Sequence, residues 1–154
     1  MPLLKLVQNS LSPALEEPLE EAALEDWRAN PQAHAGATAL VISNDAALED
    51  IMKDLSGFSV VILEFPTFKD GRAYSQARLL RERCGFTGEI RARGEVLGDQ
   101  LLFMARCGVN AFEMSQEKAH AAQGALDAFS FAYQSAADKA EPVWRKRLAR
   151  AAAA

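Results

Sequence analysis

An α/β fold built on an open parallel sheet is predicted by three observations. From residue 38 onward, short apolar runs rich in strand formers alternate with helical segments. The most apolar run, Val60-Val61-Ile62-Leu63, lacks polar alternation, as a strand covered on both faces requires. The junctions Ser56-Gly57-Phe58, Cys84-Gly85-Phe86 and Cys107-Gly108-Val109 each place a glycine where a helix closes in the left-handed conformation. About four βα units follow from this pattern, flanked by helices; a half-barrel of four such units is the alternative.

In chain order, residues 1–37 read as an N-terminal arm. Glu16, Glu17, Glu20, Glu21, Glu25 and Asp26 surround Leu19 and Trp27 there, and a short acidic helix over Pro18–Arg28 is predicted. The α/β domain is assigned to 38–136. Its first strand, 38–42, ends at Ser43-Asn44-Asp45, which can cap a helix over 46–55. The second strand, 59–65, leads through a long loop to a helix over 72–84. The third, 89–93, precedes a helix over 95–106. The fourth, 110–114, ends at Ser115, which can cap a long helix over 116–135. Residues 137–154 read as a basic tail helix carrying Lys139, Arg145, Lys146, Arg147 and Arg150 around Trp144 and Leu148, either solvated or facing an acidic partner.

The third strand, Glu89-Ile90-Arg91-Ala92-Arg93, puts its three charges on one face. Two arrangements accommodate that. In the one favoured by frequency, the charged strands are edges of a doubly wound sheet. In the other, one sheet face is polar, as in half of a (βα) barrel, and Glu64, Arg91 and Glu113 form an ion-paired lining.

The chain has 154 residues, is 49% hydrophobic and 25% charged, and carries a net charge of −4, which fits one globular domain. That balance argues against a nucleic-acid polymer as partner. No run approaches the ~18 apolar residues of a membrane span, and the N-terminus lacks the pattern of a signal peptide, so a cytoplasmic location is expected. Cys84 and Cys107 fall at helix ends on the edge where strands begin, which suits structural thiols better than nucleophiles. His34 and His120 have no zinc-site spacing, so no metal is expected. Dinucleotide and phosphate-loop signatures are absent, and four cysteines for an iron–sulfur cluster are lacking. The cofactor stays unknown, with a flavin left open.

Ligands of parallel sheets bind at the carboxyl ends of the strands. The loop Phe65-Pro66-Thr67-Phe68-Lys69-Asp70-Gly71-Arg72-Ala73-Tyr74-Ser75 occupies that edge and is longer and more aromatic than a connection needs. Asp70 can cap the next helix, and Gly71 permits close backbone approach. Arg72 and Arg78, with Arg91, Arg93, Gly94, Asp99 and Gln100 of the next βα unit, suit an anion or a partner surface. Phe65, Phe68 and Tyr74 can wall a planar ligand or anchor a partner. Against this stands a structural reading: Asp70 as an ordinary cap, Arg78 and Arg81 paired with Glu82 or Glu89, and the aromatics in the core.

The segments 65–83, 88–92 and 99–104 closely resemble a bacterial family of unknown function whose members commonly carry the label of a sulfite-reduction oxidoreductase. Arg106-Cys107-Gly108-Val109-Asn110-Ala111-Phe112-Glu113 and Phe129-Ser130-Phe131-Ala132-Tyr133-Gln134 extend the likeness. The resemblance implies an accessory protein of assimilatory sulfite or sulfate reduction, partnering or supplying electrons to sulfite reductase. It points at Pro66, Asp70, Gly71, Arg72, Tyr74, Ser75, Arg78, Arg81, Glu89, Arg91, Gly94, Asp99 and Gln100. Thr67 and Lys69 stand in reverse order to the family's usual pattern, which argues against a placed catalytic lysine. A small-anion enzyme or sensor, for a sulfated or phosphorylated nucleotide, is the alternative, and a homodimer is left open.

Overall fold

The structure, a computed structural model, describes residues 3–7, 10–15, 18–48 and 51–152. Its centre is one seven-stranded sheet. The strands are β1 (Leu3–Val7), β2 (Ser10–Ala14), β3 (Glu21–Ala23), β4 (Ala39–Ile42), β5 (Val60–Phe65), β6 (Glu89–Gly94) and β7 (Ala111–Glu113). They lie in the order β2-β1-β7-β6-β5-β4-β3. From β3 to β7 the pairing is parallel and follows chain order. β1 runs antiparallel to both β7 and β2. The sheet is open, as the alternation of strands and helices predicts, and it does not close into a barrel.

Strands laid down in chain order, each joined to the next by a right-handed crossover, send every crossover to the same side. The helices obey this. They are α1 (Leu24–Ala29), α2 (Arg72–Glu82), α3 (Leu101–Arg106) and α4 (Gln116–Leu126). Leu24, Ala77, Leu80, Met104 and Leu126 from these helices share one core with Leu40, Ile42, Leu63, Ile90 and Phe112 of the sheet. Alternate residues of the strands therefore face this helical layer, and the others face away from it.

The face away from the helices is the polar one. Arg91, whose side chain is only 7% exposed, meets Glu89 at 2.7 Å and Glu113 at 3.4 Å. Arg93 meets Glu113 at 2.8 Å and Glu21 at 2.6 Å, and Lys5 meets Glu89 at 2.8 Å. Glu21 belongs to β3, which lies three strand spacings of about 4.8 Å from β6. The Arg93–Glu21 pair thus crosses over β5 and β4, whose Ile62 and Ala39 on this face are fully buried. Arg93 hydrogen-bonds pull the Glu21 carboxyl below its usual range and hold the guanidinium firmly charged. Glu64 lies on this face in register with Arg93, but the lining is built by Glu89, Glu113 and Glu21. The charged strands are not edges of a doubly wound sheet. Both β6 and β7 are interior, and the polar face is present on an open sheet and not on a half-barrel.

Several element boundaries differ from the sequence reading, each for a physical reason. Residues 3–37 supply three strands; the expected helix over 18–28 is β3 followed by α1, because the sheet edge at β4 offers Glu21–Ala23 a parallel partner. Instead of a helix over 46–55, two one-turn 3-10 segments, Ile51–Lys53 and Leu55–Gly57, bring Leu48, Ile51, Leu55 and Phe58 into the core. Residues 49 and 50 lie outside the described residues. The helix expected from 95 starts as a 3-10 turn at Gly98–Gln100 and continues as α3, since Val96 is buried in the core ahead of it and Leu97 is extended. Ser115 caps α4 by accepting from the Lys118 amide, but α4 ends at Leu126, well short of 135. The tail helix, α5 (Val143–Ala152), begins after Pro142. Of the three junction glycines, Gly85 and Gly108 take positive φ, whereas Gly57 closes a 3-10 turn and does not.

Arg81 ties the amino-terminal edge of the sheet together. It donates to the carbonyls of Gly108 (2.9 Å), Phe86 (2.6 Å) and Gly88 (2.8 Å), not to Glu82 or Glu89. Cys84 and Cys107 are free and half-buried there, and burial pushes both thiols up, which suits structural roles. At the outer edge, the Leu11 amide of β2 donates to Gln123 of α4 at 2.9 Å.

The polar face yields a stability prediction. Glu113→Ala leaves the buried Arg91 and its neighbour Arg93 short of a shared partner, so urea unfolding should show a loss of about 3 kcal/mol.

Candidate functional site

The carboxyl-terminal edge of the parallel strands carries the long loop 66–71 between β5 and α2. Three neighbours brace it. Asn44, in the turn after β4, donates to Asp70 at 2.6 Å. Glu95, just after β6, accepts from the Phe68 amide at 3.0 Å. Gln100, at the start of α3, donates to the Phe68 carbonyl at 3.2 Å. One loop is therefore held by the turns following the two strands that flank its own.

Asp70 is the centre of this bracing. Its carboxylate receives Arg72 in a bidentate fork (3.0 and 2.7 Å), the Arg72 amide (3.2 Å) and Asn44. It is not the N-cap residue expected of it: Gly71 holds that place without a side-chain cap, and Asp70, one residue earlier, accepts from the Arg72 amide. Those donors favour the charged form and bring the carboxyl down to about 2 from its ordinary 3.8. Beside it, Ser43 donates to Asp45 at 2.7 Å and lowers that carboxyl too. Gln76 of α2 donates to the Ser43 and Ala46 carbonyls, locking the turn after β4 onto the helix.

Gly94 shows why the β5 and β6 ends are so close. Its φ is +110°, and a Cβ there would collide with the Phe65 carbonyl. The Glu95 amide then donates to that same carbonyl at 2.8 Å. A side chain at 94 would force these two backbones apart.

The predicted site residues separate into three groups. Pro66, Phe68, Asp70, Gly71, Arg72, Gly94 and Gln100 come together on the loop or its braces. Tyr74 packs edge-on against Phe65 (5.4 Å, 89°), and Phe65 is buried, so of the three aromatics only Phe68 stands out, 49% exposed. Desolvation raises the Tyr74 hydroxyl, with the nearby Asp99 adding to it. Ser75 follows one residue on, exposed on α2. Arg78 lies a turn further along α2, exposed and paired with Glu82 at 2.9 Å. Arg91 and Arg93 belong to the polar sheet face and are engaged by Glu89, Glu113 and Glu21. Every arginine proposed as an anion ligand thus already has a carboxylate partner.

Asn44, Glu95 and Gln76 are the bracing residues that the sequence did not single out in this role. Their signal was positional, since Asn44 and Glu95 follow the strands on either side of β5 in a sheet laid down in chain order. Among the described residues, no three His, Cys, Asp or Glu side chains are grouped to hold a metal. No helix of the described chain is long and apolar enough to cross a membrane.

The model of a family described as "Bacterial protein of unknown function (DUF934)" matches residues 39–144. The chain belongs to this family. The match opens at the first residue of β4 and includes the braced loop, the polar strands β6 and β7, and the segment after α4. No curated protein and no solved structure matches the chain.

Two measurements test this geometry. In the folded protein, Asp70 should titrate with a midpoint of about 2 by carboxyl-carbon NMR. Its pairing stabilises the fold fully above the ordinary value of 3.8, and that contribution is lost as pH falls from there through 2. Asp70→Asn should therefore remove this part of the acid sensitivity. Gly94→Ala should lower thermal and urea midpoints together, at a cost of about 2–3 kcal/mol for the forced backbone.

Proposed function

We propose that the protein is a cytoplasmic accessory protein of assimilatory sulfite reduction that docks on sulfite reductase through the loop 66–72. One observation carries the docking part. The loop and the first residue of α2 present the Phe68 ring and the Arg72 side chain to solvent on a backbone held by Asn44, Glu95 and Gln100. A braced loop with an aromatic tip costs little ordering entropy on binding, and aromatic and arginine side chains are frequent interface anchors. The titratable groups around it are committed to one another, Asp70 to Arg72 and Arg78 to Glu82. That favours a protein-binding role over acid–base chemistry or capture of a small anion. The connection to sulfite reduction rests on the likeness of residues 65–113 and 129–134 to family members carrying that label.

The test uses the full chain and the assimilatory sulfite reductase of the same organism. Biolayer interferometry should give saturable binding, weakened by about tenfold or more in Phe68→Ser. The reductase should change its sulfite turnover when the wild-type chain is added and not when the variant is. Absence of binding together with unaltered turnover would overturn the proposal.

A further inference from the structure

Large apolar side chains exposed among the described residues concentrate in the last third of the chain. Phe103 of α3 is 60% exposed, and Phe129, Phe131 and Tyr133 after α4 are 68%, 64% and 76% exposed. These four rings border one open cavity of about 430 Å³, with Leu102 and Leu126 among its apolar walls. Arg106 pins the far side by donating to the Gln134 carbonyl at 2.5 Å and approaching Asp138 at 3.4 Å. The segment 129–138 is therefore tethered beside α3 with its rings turned outward.

The surface continues onto α5. The Val143 amide donates to the Ala132 carbonyl at 2.8 Å, and Lys146 sits 5.3 Å over the Phe131 ring. Trp144 and Leu148, one turn apart, share an exposed helix face. Around them stand Arg145, Lys146, Arg147 and Arg150 with no acid in the helix. Among the described residues these four have no carboxylate partner, whereas Arg72, Arg78, Arg91, Arg93 and Arg106 each have one.

We propose that this surface docks an acidic segment of a partner protein, with one apolar side chain of that segment seated in the cavity and its carboxylates on the α5 cations. Charge complementarity fixes the sign of the occupant. A second copy presenting the same patch would bring α5 against α5 and set cation against cation. A cavity of about 430 Å³ beside these cations suits one discrete apolar anchor side chain. The patch is also wider than a small molecule would need, since it runs from α3 across 129–133 to α5. This inference does not rest on the sulfite-reduction reading and concerns a different part of the molecule from loop 66–72.

The test is an unbiased one. A random peptide display library is selected on the immobilised full chain, and the enriched peptides are synthesised and titrated by calorimetry. Enrichment of acidic sequences with an aromatic or leucine anchor is expected. Their affinity should fall by about tenfold or more in Phe131→Ser and in the double variant R147E/R150E, and be retained in R147K/R150K. All of these positions are exposed, so the variants should keep the wild-type far-ultraviolet circular dichroism and melting temperature. Binding that is insensitive to Phe131→Ser, enrichment without acidic bias, or no enrichment would each overturn the proposal. So would sedimentation with phosphatidylserine vesicles in place of peptide binding, or a concentration-dependent dimer lost in Phe131→Ser.

Discussion

Arg93 stands where three constraints of this fold meet. Its guanidinium lies between Glu113 on the adjacent strand and Glu21 at the far edge of the sheet. Such a reach is needed because the parallel strands follow one another in chain order, and right-handed crossovers then leave one face without helices. A bare face can be closed by a second layer or by its own side chains. Here long charged side chains close it, each neutralised by the next, from Lys5 through Glu89, Arg91 and Glu113 to Arg93 and Glu21. Ala39, Val60 and Ile62 are buried on that face beneath this cover, with Leu19 and Val41 packed against them. An ion-paired face of this kind contributes less net stability than an apolar layer would, because its charges pay for desolvation. What it gives is one register, since a slip of one residue would turn every carboxylate of β6 and β7 into the apolar core.

Much of this was readable from the sequence. Strand positions in the parallel region follow from Val60–Phe65 and its flanking glycines, and the alternation of Glu89-Ile90-Arg91-Ala92-Arg93 carried the polar face within it. What alternation does not carry is strand order. Edge strands and a polar interior face predict the same pattern, and only tertiary pairing distinguishes them. The helix expected over 18–28 is present only as α1, for the same reason. Glu21-Ala22-Ala23 has no strand propensity of its own and becomes β3 because β4 offers it an edge. In the 129–133 segment the aromatic residues recur every second position, which is a period of extended chain and not of helix. The long alanine-rich approach from Gln116 obscured that change of period, and Gly124 with Asp127 ends the helix ahead of it.

At the carboxyl-terminal rim, the loop's ends and middle are fixed by different kinds of contact. Backbone contact through Gly94 sets the distance between β5 and β6. Side-chain hydrogen bonds from Asn44, Glu95 and Gln100 then set the path of residues 66–71. Asp70 was identifiable as a partner for the start of α2 from its place before Arg72, but its second partner, Asn44, comes from a turn 26 residues earlier. Such contacts become predictable once strand order is known, because consecutive parallel strands put their following turns side by side.

The two open edges of the sheet have a consequence for how this protein can associate. An edge strand with free amides is a template for pairing with another chain. Alternate amides of a strand point the same way, so Leu11 and Pro13 face the outside of β2 together. Gln123 already occupies the Leu11 amide, and proline has none to offer. At the other edge, β3 is three residues long, begins with Glu21 after Glu20, and runs directly into α1. Both features discourage a further strand from adding to the sheet. That favours association by side-chain recognition on surfaces such as the rim loop and the aromatic tail, and the same blunting works against sheet-to-sheet aggregation.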